Sequence, residues 1–87
     1  MNGDPMDIGV EISLYPLDAD FIPPIRDFID RLNAHAGLKI VTNSLSTQVF
    51  GPYERVWAAL QAEIRPTFEA NTKAVFVMKV IGPYAER

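Results

Sequence analysis

The chain has 87 residues, of which 48% are hydrophobic and 22% charged, and its formal net charge is −3. A chain of this length makes one domain and buries only about 60 to 65% of the surface its unfolded form exposes, so self-association is expected to supplement a modest core. The acidic balance and scattered Lys and Arg argue against non-specific nucleic-acid binding, and the absence of cysteine excludes disulfides, thiolate chemistry and Cys-based zinc sites.

Residues 1–7 carry no basic segment followed by an apolar run, and no apolar stretch approaches the roughly 20 residues a membrane span needs. They are read as a flexible leader, with a single ligand-binding domain over residues 8–87 of a soluble, cytoplasmic protein. From Ile8 to Tyr15 the residues alternate: Ile8, Val10, Ile12 and Leu14 make an apolar face, while Glu11, Ser13 and Tyr15 make a polar one. This is a half-buried strand. Asp20 suits an N-cap, Pro23 and Pro24 suit a first helical turn, and Ile22, Ile25, Phe28, Ile29 and Leu32 recur at helical spacing. A helix is expected from Phe21 to His35, with Gly37 as its C-terminal stop.

Leu38 to Thr42 reads as a strand, Asn43-Ser44 as a turn, and Leu45 to Phe50 as a returning strand ended by Gly51-Pro52. Pro52 opens a second amphipathic helix, in which Tyr53, Val56, Trp57, Leu60 and Ile64 share a stripe until Pro66. That helix is expected to end near Arg65. Lys73 to Ile81 is an almost continuous apolar strand, stopped by Gly82-Pro83.

The order βαββαβ, with short connections and right-handed crossovers, predicts an α+β, ferredoxin-like plait: a four-stranded antiparallel sheet in the order 4-1-3-2 with both helices on one face. The last strand is apolar on both sides, with Ala74, Phe76, Met78 and Val80 on one and Val75, Val77 and Ile81 on the other. Exposing several such side chains forgoes roughly 1.5 to 3 kcal/mol each, which favours packing the open sheet face against another copy. The alternative cover is the C-terminal tail from Tyr84.

The two central strands carry Glu11, Ser13, Tyr15, Asn43, Ser46 and Gln48, polar groups costing on the order of 1 to 3 kcal/mol each if buried unpaired. Cross-subunit hydrogen bonds or ordered water would satisfy them. A flat, partly cationic heterocycle would do so equally well.

Ile12-Ser13-Leu14-Tyr15-Pro16-Leu17, Phe21-Ile22-Pro23-Pro24-Ile25, the hairpin Thr42 to Gly51 and the strand Lys73 to Val80 together resemble the YkoF-like family of thiamine- and hydroxymethylpyrimidine-binding domains, over Val10 to Ile81. The resemblance implies a plait that assembles through its sheets and binds thiamine or its pyrimidine near the sheet interface. This sequence carries one such domain where some members carry two, so a homodimer or homotetramer is expected to rebuild the arrangement. On this basis Ser13, Tyr15, Asn43, Ser46 and Thr47 are the expected ligand contacts, with Glu11 available to neutralise a thiazolium or aminopyrimidinium. Tyr15 would stack on a ring, and Ser, Thr and Asn side chains match the ring nitrogens and exocyclic amine of an aminopyrimidine. Plainer roles stand beside these: Glu11 as a solvated charge, Tyr15 as an interface aromatic and Thr47 as a β-former.

No catalytic constellation, cofactor site or metal site is legible. His35, the only histidine, reads as a partner of a helix C-terminus. Asp27 and Asp30 read as a wet helical face, and Trp57 as core. Acylphosphatases share the plait, but the loop Pro16-Leu17-Asp18-Ala19-Asp20 offers acids where that chemistry needs an anion cradle and an arginine. A homo-oligomeric interaction module with no ligand is the remaining alternative.

Overall fold

The computed structural model describes residues 6–70 and 73–84. Its elements are β1 (Asp7–Pro16), α1 (Ile22–Asn33), β2 (Lys39–Thr42), β3 (Thr47–Pro52), α2 (Tyr53–Ala70) and β4 (Ala74–Ile81). The strands form one antiparallel sheet in the order β2-β3-β1-β4, which is 4-1-3-2 read from the other edge. The α+β, ferredoxin-like plait expected from the sequence is the fold.

Alternation in β1 decides where the core lies. Ile8, Val10, Ile12 and Leu14 are buried with Val49 of β3, against Phe28 and Leu32 of α1 and Val56 and Leu60 of α2. Ala74, Phe76 and Met78 of β4 pack onto the same cluster, and Phe76 meets Phe28 and Phe68 at ring distances of 4.9 and 5.5 Å. Trp57 lies partly buried against the core with its ring 6.2 Å from Tyr53, as the stripe on α2 predicts. Among the described residues no helix is long and apolar enough to cross a membrane.

The opposite face of the sheet carries Glu11, Ser13 and Tyr15 of β1, Gln48 and Phe50 of β3, and Val75, Val77, Lys79 and Ile81 of β4. Gly9 sits under the Phe50 ring, where a Cβ would come within 2.8 Å of it. Tyr84 lies against the outer side of that ring at 4.9 Å and donates its backbone N–H to the Asp7 carbonyl at 2.7 Å. The tail therefore covers the Phe50 end of the face as far as Tyr84, while Val75, Val77 and Ile81 stay exposed. Residues 85–87 lie outside the described residues, as do residues 1–5 of the expected leader; β1 begins at Asp7, and the Met6 carbonyl accepts the Tyr53 N–H at 2.8 Å.

Several boundaries differ from the sequence reading, each for a local reason. α1 starts at Ile22, and Phe21 holds the cap position with no side-chain cap; Asp20 instead donates its own N–H to the Asp18 carboxylate at 3.0 Å, in an Asx turn. α1 ends at Asn33 rather than His35, and Gly37 takes φ +83° in the turn that follows. Pro52 closes β3 rather than opening α2. Pro66 does not end α2, which runs to Ala70: the proline removes only the N–H that would serve the Ala62 carbonyl, while Arg31 ties α2 to α1 on both sides of it, at the Glu63 carbonyl (2.7 Å) and Thr67 Oγ1 (2.8 Å), and Phe68 packs on Phe76.

Candidate functional site

The hairpin also differs, and the difference makes a cavity. The sequence suggests a two-residue turn at Asn43-Ser44, whereas residues 43–46 form a four-residue loop and β3 begins only at Thr47. Pairing of β1 with β3 therefore stops at Ile12↔Thr47, while β1 continues beside β4 as far as Pro16↔Ala74. One edge of Ser13–Pro16 is left without a strand neighbour. The start of α1 roofs this gap, and the three elements enclose a cavity of about 360 Å³.

One wall is apolar and partly aromatic, made by Phe21, Ile25, Phe28 and Ile29, with Ile12 and Leu14 beneath. The other is the polar hairpin segment from Thr42 to Thr47. Five of the six residues singled out from sequence line it: Ser13, Tyr15, Asn43, Ser46 and Thr47.

Four of these, Ser13, Asn43, Ser46 and Thr47, are held by specific bonds. Asn43 Oδ1 accepts the backbone N–H groups of Leu45 at 2.8 Å and Ser46 at 3.1 Å, and the Asn43 N–H donates to the Ser46 carbonyl at 3.0 Å. An asparagine is suited to this position because its amide oxygen replaces the backbone acceptor that a tight turn lacks. Ser13 Oγ donates to the Leu45 carbonyl at 3.3 Å and so ties the loop to β1. Thr47 is buried, with its Oγ1 3.2 Å from Thr42 Oγ1. Tyr15 is 54% exposed at the edge of the cavity.

Glu11 does not line the cavity. It lies on the open face between Gln48 and Lys79, in a shallow depression, and accepts a hydrogen bond from Ser46 Oγ at 3.0 Å. The six residues are therefore not one polar row. Thr47 pairs with buried Ile12 and faces the helices, Glu11 and Tyr15 face away from them, and Asn43 and Ser46 lie in the loop that wraps the end of β3. Sequence reasoning missed the apolar wall as part of a site, although the stripe Ile25, Phe28, Ile29 was visible as helix periodicity. Phe21 stands at the cap position of α1, one residue ahead of Ile22-Pro23-Pro24, and no periodicity in the sequence marks it as part of a site.

A second polar cluster lies between the helices. Arg31 Nη1 donates to Glu63 Oε1 at 2.9 Å, Arg31 Nη2 to Thr67 Oγ1 at 2.8 Å, Arg31 Nε to Asp27 Oδ2 at 3.0 Å, and His35 Nε2 lies 2.7 Å from Glu63 Oε2. Burial pushes the Glu63 carboxyl up. The hydrogen bonds with His35 and Arg31, and the charges of those partners, more than offset it and leave Glu63 below its ordinary value of 4.5. His35 thus joins a helix-to-helix clasp, where the sequence suggested only a helix end, while the Asp27 side chain stays 65% exposed and pairs with Arg31 of its own helix, on the wet face expected for it. Among the described residues no group of three or more His, Cys, Asp or Glu could hold a metal ion.

The plait and the walled cavity at the end of its central strand make an α+β domain with one candidate site between β1, α1 and the hairpin loop. Residues 7–80 match the model of the YKOF-related family, and the chain belongs to that family. Among solved structures, a hypothetical protein of Methanocaldococcus jannascii superposes with a TM-score of 0.79 at 18% identity, covering 94% of this chain and 86% of that one. A Streptococcus pneumoniae protein gives a TM-score of 0.81 at 17% identity, covering 87% and 86%. A Thermotoga maritima protein provisionally assigned to thiamine biosynthesis or salvage gives 0.67 at 20% identity, covering 91% and 84%. At these identities the likeness is one of fold. No curated protein matches the chain.

Proposed function

We propose that the chain binds thiamine or its hydroxymethylpyrimidine moiety, without catalysing its conversion, and serves vitamin transport, salvage or sensing. The observation that carries this reading is the convergence of Ser13, Tyr15, Asn43, Ser46 and Thr47 on one cavity of about 360 Å³. That volume falls within the roughly 300 to 1,000 Å³ of small-molecule sites, and the lining follows their usual division into an apolar wall and a few polar groups. A flat pyrimidine fits between Phe21, Ile25 and Ile29 on one side and the loop on the other. Its ring nitrogens and amine would meet the unpaired edge of Ser13–Pro16 together with the hydroxyls. Membership of the YKOF-related family and the thiamine assignment of the Thermotoga maritima structure support the same ligand class.

The same proposal includes assembly. Val75, Val77, Ile81 and Tyr15 are each between 44 and 60% exposed on the open face, more apolar surface than one sheet face usually leaves in water. A second copy of the chain, as a homodimer or homotetramer, would cover it beside the cavity mouth at Tyr15. Val77→Glu is expected to convert that assembly to monomers while leaving the chain folded. Native mass spectrometry of the purified chain reads both the number of copies and any pyrimidine retained. A V77E protein of unchanged mass would move the interface elsewhere.

One observation favours the ligand-free alternative. Ser13, Asn43, Ser46 and Thr47 already have partners in the Leu45 carbonyl, the Leu45 and Ser46 N–H groups, Glu11 and Thr42, so the loop holds its shape without a guest. The hydroxyl oxygens nevertheless keep acceptor capacity, since each has two lone pairs.

A further inference from the structure

Resting on the binding reading above, we infer that the cavity selects the unphosphorylated pyrimidine alcohol and rejects its phosphate ester. Among the described residues no Lys, Arg or His lines the cavity. An ester group carries a charge of about −1.5 to −2 at neutral pH and needs cationic or N–H donors to replace its water. The first possible source of such donors is the start of α1, since helix N-termini offer free N–H groups to phosphates. Here that turn contains Pro23 and Pro24, which have no N–H to give.

The charges around the cavity have the wrong sign for an anion. Asp18 and Asp20 stand on the loop between Pro16 and Phe21, both of which line it. Glu11 stands one hydrogen bond behind the lining residue Ser46. Among the described residues, Arg26 and Lys73 come near without lining the cavity. Arg26 belongs to the neighbouring groove of Ile22, Ile25 and Ile29, and Lys73 meets the entry loop through its carbonyl, which accepts the Leu17 N–H at 3.0 Å. A neutral or cationic heterocycle meets none of these obstacles.

The test is calorimetric titration of the full chain with hydroxymethylpyrimidine and, separately, hydroxymethylpyrimidine phosphate, at low and high salt, for wild type and an Asp18→Asn/Asp20→Asn variant. The alcohol is expected to bind roughly tenfold or more tighter than the ester at low salt. The double variant is expected to narrow that ratio at low salt and to leave alcohol binding unchanged, because long-range charge effects are screened as salt rises. Alcohol and ester binding equally well, or the ester binding tighter, overturns this inference and leaves the binding reading standing. Heat with neither overturns both.

Discussion

The double variant Ser13→Ala/Asn43→Ala is expected to lose measurable pyrimidine binding while remaining folded and assembled. Both side chains act on the loop of residues 43–46: Asn43 closes it through two backbone N–H groups, and Ser13 fastens it to β1 through the Leu45 carbonyl. Without them the polar wall of the cavity loses its shape, and the ligand loses the hydroxyl of Ser13 as well. The cost to the fold is small because these bonds are exposed; two net contributions of about 1 kcal/mol each leave the buried cluster around Ile12, Leu32 and Val49 untouched. Calorimetry for binding and native mass spectrometry for assembly check the outcome together. Loss of assembly, or binding at wild-type strength, would show that these positions serve the subunit interface or nothing at the site.

Glu63→Ala is expected to cause the larger loss of stability. The Glu63 carboxylate meets Arg31 and His35 while only 16% exposed, and Arg31 is 23% exposed. Removing the carboxylate takes from a partly buried guanidinium its interhelical counter-charge and from His35 its partner, while the bonds to Asp27, Thr67 and the Glu63 carbonyl stay. Breaking a fully buried pair costs about 3 to 5 kcal/mol, and partial exposure lowers that to roughly 2 to 3. For a domain of this size the melting temperature should fall by on the order of 10 to 20 °C.

The clasp also sets a pH dependence. The Glu63 carboxyl lies below its ordinary 4.5 in the folded chain, so between the folded and unfolded values the unfolded state binds the extra proton. Its contribution is present above about pH 4.5 and is lost as pH falls through the folded value. Glu63→Gln should therefore be less stable than wild type at neutral pH and converge with it in acid. Parallel melting curves at both pH values would contradict the assignment.

The fold was legible because its signals are periodic. The alternation in β1, the 3.6-residue stripes of the helices and the apolar run of β4 each report burial, and burial is what the sheet order then arranges. What was not legible depended on partners distant in sequence. Pro66 reads as a stop until Arg31, a residue of the other helix, is seen to hold α2 on both sides of it, at Glu63 and Thr67. His35 reads as an end residue until Glu63 is seen beside it. Asn43 marked a turn correctly, but its side chain binding two N–H groups makes the loop longer than a two-residue hairpin, and that extra length creates the cavity. Ser13, Tyr15, Ser46 and Thr47 were visible as polar residues in strand-like contexts. Their joining with Phe21 and Ile25 required the third dimension.

Calorimetric titration of the wild-type chain with thiamine and with hydroxymethylpyrimidine decides whether the cavity is a binding site. The cavity built from Ser13, Tyr15, Asn43, Ser46 and Thr47 predicts saturable heat with at least one of the two, at one site per chain. Absence of heat with both at millimolar ligand would contradict it and leave the chain as a self-assembling module whose polar loop binds only itself.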